Sequence, residues 1–266
     1  MPLALLVAAC ALGPALLQGQ VASWPSVAMD PTGNAIAVWE QIFGTRHDIY
    51  ANRYTQGSGW EIAAPIENEQ ISSDFDPEVA MDDAGNAVVV WRRVQNYVYG
   101  DDRDIWANHY SPTLGWGTAE RIDKSEEHQS WYARVAIDTD GRALACWQQP
   151  NDGLFSVWCS WRAPNAWGAP ELIETDELGN GYFPQPAFDD DGSALLVWER
   201  FDGARYDIWV NRYARAGGWE TAGPIEHDDA GNARSPNLAV APDGKAMVTS
   251  GQSDGTRTKV WVNRFE

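Results

Sequence analysis

Five dipeptides along the chain carry residue types suited to ligand contact: Ser23-Trp24, Phe75-Asp76, Trp131-Tyr132, Tyr182-Phe183 and Arg234-Ser235. Four of the five hold an aromatic ring. Such rings stack on the apolar faces of sugars, and nearby carboxylates, here Asp74, Asp76, Glu126 and Glu127, accept hydrogen bonds from hydroxyls. The candidate ligand-binding residues are therefore Trp24, Phe75, Asp76, Trp131, Tyr132, Tyr182, Phe183 and Arg234. The competing reading is that the rings only fill a gap in the framework.

A second set is basic. FGTRHD at 43–48, YGDDRD at 99–104, FDGARYD at 201–207 and SDGTRTK at 253–259 each contain an arginine, and NDGLFS at 151–156 is the variant. Arg46 with Asp48, Arg103 with Asp104 and Arg205 with Asp207 can pair locally. The alternative is an anion-binding set that Arg92, Arg93, Arg200 and Arg234 would join.

Other chemistry is weakly signalled. Asp138-Thr139-Asp140-Gly141 and Asp189-Asp190-Asp191-Gly192 resemble calcium loops but do not continue to the spaced glutamate an EF-hand needs. His47, His109, His128 and His227 show no metal-ligand spacing, and no GxSxG occurs. No catalytic residue, metal or cofactor is assigned. Glycoside hydrolysis needs paired carboxylates, and among the five dipeptides only Asp76 is acidic, so a glycoside hydrolase or lyase is the alternative to a binding module.

What must position these residues is a repeat. VAMDPTGNAIAVWEQ at 27–41 returns as VAMDDAGNAVVVWRR at 79–93, VAIDTDGRALACWQQ at 135–149, PAFDDDGSALLVWER at 186–200 and LAVAPDGKAMVTSGQ at 238–252. A second block follows each: DIYANRY, DIWANHY, SVWCSWR, DIWVNRY and KVWVNRF. A third begins with Gly59-Trp60, Gly115-Trp116, Ala166-Trp167 or Gly218-Trp219. Alternation and β-branched enrichment make each unit four short strands, with a DxxG turn between the first two. Five such units predict an all-β fold, a five-bladed β-propeller of four-stranded antiparallel blades. The dipeptides then fall in loops that lead into each inner strand, at the channel mouth.

The repeats account for Trp39, Trp91, Trp147 and Trp198 in strand two, Trp106, Trp158, Trp209 and Trp261 in strand three, and Trp60, Trp116, Trp167 and Trp219 in strand four. These are framework positions. Trp24, Trp131 and Trp161 stand outside them. The fifth unit ends after its third strand, and residues 13–18 resemble a fourth, so an N-terminal strand is expected to close the last blade.

Residues 1–12 read as a leader ahead of a single domain at 13–266. LALLVAAC resembles the end of a bacterial lipoprotein signal, which would make Cys10 the lipidated residue. A membrane span fits less well, because Gly13-Pro14 interrupts the apolar run. Cys146 and Cys159 should face each other on neighbouring strands, as a disulfide in an oxidising compartment or as buried thiols. The net charge of −19 argues against a nucleic-acid partner.

The repeat, of the form VAxDxxGNAxAVW, DIWANRY and GW, resembles a group of exported bacterial repeat proteins loosely assigned to sialidase-like or BNR-type propellers. The resemblance covers residues 14–266. It implies a propeller outside the cytoplasm and no particular activity. Gly33 and Trp39 are spaced more widely than in the SxDxGxTW box of true sialidases, so no sialidase arginine set is transferred. The function expected is an exported binding module for a glycan or a surface partner. A structural scaffold for protein interaction is a further alternative.

Overall fold

The structure is a computed structural model that describes residues 21–68, 72–95, 102–124, 129–163, 166–174, 179–225, 231–254 and 256–265. Cys10, Glu126, Glu127 and the strand expected at 13–18 lie outside the described residues. Within them the chain is all-β and forms five antiparallel sheets, one per repeat. The first is built on Val21–Met29, Ala35–Phe43 and Arg46–Thr55. The second uses Ser73–Met81, Ala87–Gln95 and Asp102–Ser111, and the third Trp131–Ile137, Ala143–Asn151 and Leu154–Ala163. Asn180–Phe188, Ala194–Phe201 and Tyr206–Ala214 make the fourth; Ala233–Val240, Ala246–Ser253 and Thr258–Phe265 make the fifth. First strands of successive sheets lie side by side, which makes them the inner strands of five blades.

The DxxG segments form the turns their residues dictate. Asp30 Oδ1 accepts the Thr32 and Asn34 amides at 2.8 and 3.0 Å, and Gly33 supplies a φ of 89° that a side chain would resist. Asp82, Asp138 and Asp189 hold their own turns in the same way. These turns also join the blades. A Cβ on Gly85, Gly141, Gly192 or Gly244 would stand 3.2–3.4 Å from the carboxylate of Asp30, Asp82, Asp138 or Asp189 of the preceding blade.

The outer strand departs from expectation. In the first four blades it is two short pieces, such as Gly59–Trp60 and Ala64–Pro65, each paired with the third strand. Between them the backbone leaves the sheet, so that Ile62 is 93% exposed although it belongs to the apolar stretch read as strand. A proline in each of the outer pieces Ala64–Pro65 and Gly223–Pro224 removes a ladder donor and keeps them short.

The core lies between blades rather than within one. Strand alternation sends Ile36, Val38, Ile49 and Ala51 forward onto Val79, Val89 and Trp91 of the next blade, and three further clusters repeat the arrangement. Trp91, Trp147 and Trp198 are fully buried there. Trp161, outside the repeat pattern, wedges between blades three and four, its ring 4.4 Å from Tyr213 and 5.8 Å from Phe188.

Cys146 stands opposite Cys159 in register, and their buried sulfurs are bonded. Closing so short a loop contributes about 2–4 kcal/mol, chiefly by restricting the unfolded chain. The double variant Cys146→Ala/Cys159→Ala should therefore melt several degrees lower under non-reducing conditions. An unchanged melting temperature would mean that the bond does not contribute.

One buried charge cluster gives stability a pH dependence. Glu67 Oε2 accepts the Ile49 amide at 2.5 Å, close to the buried Asp48, Asp74 and Arg93. Burial, then the Asp74 carboxylate, pushes the Glu67 carboxyl from 4.5 up to about 8, against the opposing Ile49 amide and Arg93 charge. Between those pH values the folded chain holds a proton that the unfolded chain has lost, so stability falls as pH rises. Glu67→Gln keeps an acceptor for Ile49 and should flatten that slope, with melting at pH 8.5 moving toward its value at pH 5.5. An equally steep slope in the variant would assign the effect elsewhere.

Candidate functional site

Each inner strand breaks register at the same place: between Ser23 and Ser26, Phe75 and Glu78, Trp131 and Arg134, Tyr182 and Gln185, and Arg234 and Asn237. The dipeptides expected in loops are thus bulges inside the inner strands. In every one the second residue is left-handed without being glycine: Trp24 (φ 50°), Asp76 (54°), Tyr132 (52°), Phe183 (55°) and Ser235 (56°). Each such residue costs about 1–3 kcal/mol unless its surroundings hold it.

At three of the five the preceding blade supplies the hold. Glu40 Oε1 accepts the Asp76 amide at 2.9 Å, Gln148 Oε1 the Phe183 amide at 3.2 Å, and Glu199 Oε1 the Ser235 amide at 2.5 Å. All three acceptors directly follow the repeat tryptophan of strand two. Sequence reading missed them, although that fixed offset was the signal. Blade two carries Arg92 there instead, and its Nε and Nη2 donate to Asp76 Oδ2 at 3.0 and 2.9 Å.

At the bulges, side chains from neighbouring blades meet. His47 lies 4.5 Å from Phe75, and the Arg92 guanidinium lies 4.7 Å from Phe75 and 4.9 Å from Trp131. Trp131 stacks on Tyr132 at 6.3 Å, Tyr132 meets Phe183 at 4.7 Å, and Phe183 meets Tyr182 at 6.3 Å. Tyr182 continues to Tyr206 at 6.3 Å, over which Arg234 sits at 3.4 Å. Seven of the eight predicted residues, Phe75, Asp76, Trp131, Tyr132, Tyr182, Phe183 and Arg234, thus form one belt. Trp24 holds the equivalent place in blade one, 67% exposed. His47 and Tyr206 are members that the sequence reading did not single out.

The charges around the belt are largely engaged. Arg46 pairs with Asp48 at 2.7 Å and Arg205 with Asp207 at 3.1 Å, as expected. Arg103 donates to Gln129 and lies 4.1 Å from the Trp131 ring, while Asp104 pairs with Arg121 at 3.3 Å. Asp74, expected at the mouth, is buried and bound in a fork by Arg93 at 2.7 and 3.0 Å. Arg93 and Arg200 are buried as well, each 4.0 Å from a strand-three indole, and so do not join a surface anion set. Burial pushes the Glu199 carboxyl up, against the Ser235 amide and the Arg234 charge. Burial likewise raises the Tyr182 phenol.

No protein family profile and no curated protein matches the sequence. Solved structures do match the fold. A protein of unknown function from Dyadobacter fermentans superposes with a TM-score of 0.63 at 11% identity, over 92% of this chain and 79% of its own. An α-L-arabinanase from Penicillium chrysogenum gives 0.57 at 12% identity, over 91% and 77%. A leech intramolecular trans-sialidase gives 0.54 at 10% identity, over 91% of this chain and 57% of its own. At these identities the likeness is one of fold alone, to structures that include sialidase- and arabinanase-like β-propellers.

Proposed function

We propose that the protein is an extracytoplasmic glycan-binding propeller and that the bulge belt is its binding platform. The observation that carries this reading is the continuity of the belt: the rings of Trp131, Tyr132, Phe183 and Tyr182 follow one another across blades three and four, Arg92 bridges Trp131 to Phe75 of blade two, and Arg234 edges the far end. A run of aromatic faces with polar edges is what a saccharide chain stacks and hydrogen-bonds upon. Beyond the belt the inner strands carry polar side chains: the Ser26 hydroxyl donates to Glu78, and Glu78 pairs with Arg134. The solved arabinanase is in complex with arabinobiose and the trans-sialidase with 2,7-anhydro-Neu5Ac, which accords with a saccharide ligand. Export, with a lipid anchor at Cys10, belongs to the same reading.

Hydrolysis is the alternative, and the raised carboxyl of Glu199 is the observation in its favour. Against it, the carboxylates behind the belt have structural work: Glu40 binds the Asp76 amide, Ser23 and His47, Asp76 binds Arg92, and Glu199 holds the next bulge. A glycan array run beside a panel of chromogenic glycosides separates the two. Binding without turnover is expected. Turnover that Glu199→Gln abolishes would replace the binding reading with catalysis.

A further inference from the structure

Blade three departs from the repeat near the end of its third strand. The aromatic residue found there in the other blades, Tyr54, Tyr110, Tyr213 or Phe265, is replaced by Arg162. The rings of Tyr54, Tyr110 and Tyr213 meet Trp60, Trp116 and Trp219 edge-on at 5.4–5.5 Å; Arg162 stands in register with Trp167 and is only 7% exposed. It points toward blade two, on the side of the strand from which Trp158 packs into the cluster between blades two and three. Among the described residues no group hydrogen-bonds or ion-pairs with its guanidinium. Burial disfavours its charge, and the exposed Glu120 carboxylate of blade two is the group that opposes this from a distance.

Blade two departs from the repeat at the facing position. In blades one and four an arginine on strand three stands beside a glutamate of the outer strand: Arg53 with Glu61, paired at 3.0 Å, and Arg212 with Glu220. The same register in blade two holds His109 and Gly117, so the acid is gone. The His109 ring takes its space, since a Cβ on Gly117 would stand 2.4 Å from the ring Cε1. His109 shares the side of its strand with Ile105 and Ala107, which faces blade three; burial, then the Arg162 charge, lowers its pKa. Lys124 of blade two reaches the same edge, its Nζ donating to the Gly168 carbonyl that also accepts the Ser160 hydroxyl, both at 3.2 Å.

We infer that the outer edge of the interface between blades two and three binds a small oxyanion, with the Arg162 guanidinium as its principal donor and His109 and Lys124 beside it. The paired N–H groups of a guanidinium match two oxygens of a phosphate, sulfate or carboxylate. A buried guanidinium without a partner is costly, and the repeat has a tyrosine for this position that needs none. The corresponding residues sum to no charge between blades one and two (Arg53, Glu61, Tyr110) and between blades four and five (Arg212, Glu220, Phe265). Between blades two and three they leave the charge of Arg162 uncancelled. This corner lies at the other end of the blade from the belt: Arg162 pairs with Ala143 at the start of strand two, and Trp131 with Gln148 farther along it. Its occupancy is therefore independent of the glycan platform.

The test titrates inorganic phosphate, sulfate and acetate into the full chain at fixed ionic strength, read by the Arg162 Nε–H signal in nitrogen–proton correlation spectra and by melting temperature. At least one ion should shift that signal saturably and raise melting beyond its value in chloride. A response to phosphate or sulfate alone would support a tetrahedral oxyanion, and a response to acetate as well would extend the site to carboxylates. Arg162→Tyr restores the repeat residue and should fold, its ring meeting Trp167 as Tyr110 meets Trp116. It should weaken the effective ion about tenfold or more. Arg162→Lys keeps the charge without the fork and should fall between the two. Phosphate and sulfate also stabilise proteins by exclusion from their surfaces, an effect that the variants share. An equal melting response in wild type and Arg162→Tyr would thus overturn the inference, as would an Arg162 signal that none of the three ions shifts saturably. Should Arg162→Tyr not fold, Arg162→Lys assigns the signal and the wild-type titration decides.

Discussion

Trp198→Ala is expected to lower folding stability by about 3–5 kcal/mol, the cost of emptying a large buried aromatic site that its surroundings refill only in part. Trp198 is fully buried in the cluster between blades three and four, against Leu144, Cys146, Val157 and Cys159, with its ring 6.4 Å from Trp209. The loss should propagate, because each blade buries its faces only against its neighbours. Urea unfolding followed by far-ultraviolet dichroism measures it, as a lower midpoint at an unchanged slope. A loss below about 1.5 kcal/mol would mean that the interface relaxes around the cavity and that packing between blades is not what holds the five sheets together.

The parts of this architecture that repeat were legible from the residues alone. The DxxG turns and the strand-two tryptophans recur at matching offsets, and each chemical role is local: an Asp closing its own turn, a glycine with positive φ, an indole at an alternation point. The recurrence of the five dipeptides was legible for the same reason. Their bulged conformation was not, because a left-handed Trp, Asp, Tyr, Phe or Ser has no local sequence signature, and the acceptors that hold Asp76, Phe183 and Ser235 come from another blade. Asp74 was misplaced on the same account. Once 73–76 is strand and not loop, adjacent residues point to opposite sides, so Phe75 at the belt puts Asp74 on Arg93. The outer strand was over-read because an apolar stretch such as that around Ile62 carries no mark of leaving the sheet.

Trp131→Ala should behave oppositely to Trp198→Ala. Trp131 is only half-buried, and its contacts are with Tyr132, Arg92 and Arg103 at the belt rather than with the core. A stacking contact of about 0.5–1.5 kcal/mol beyond buried area corresponds to roughly a threefold to tenfold loss of affinity. Its stability cost should be a small fraction of that at Trp198. Trp24→Ala, at an exposed ring, should cost still less in stability.

The most direct test of the platform is calorimetric titration of one array-selected glycan into the wild-type protein and Trp131→Ala, with melting measured on the same samples. The binding account predicts affinity weakened about threefold to tenfold or more, with the melting temperature nearly unchanged. Unchanged affinity in a Trp131→Ala protein destabilised as severely as Trp198→Ala would contradict it and make the belt a structural plug.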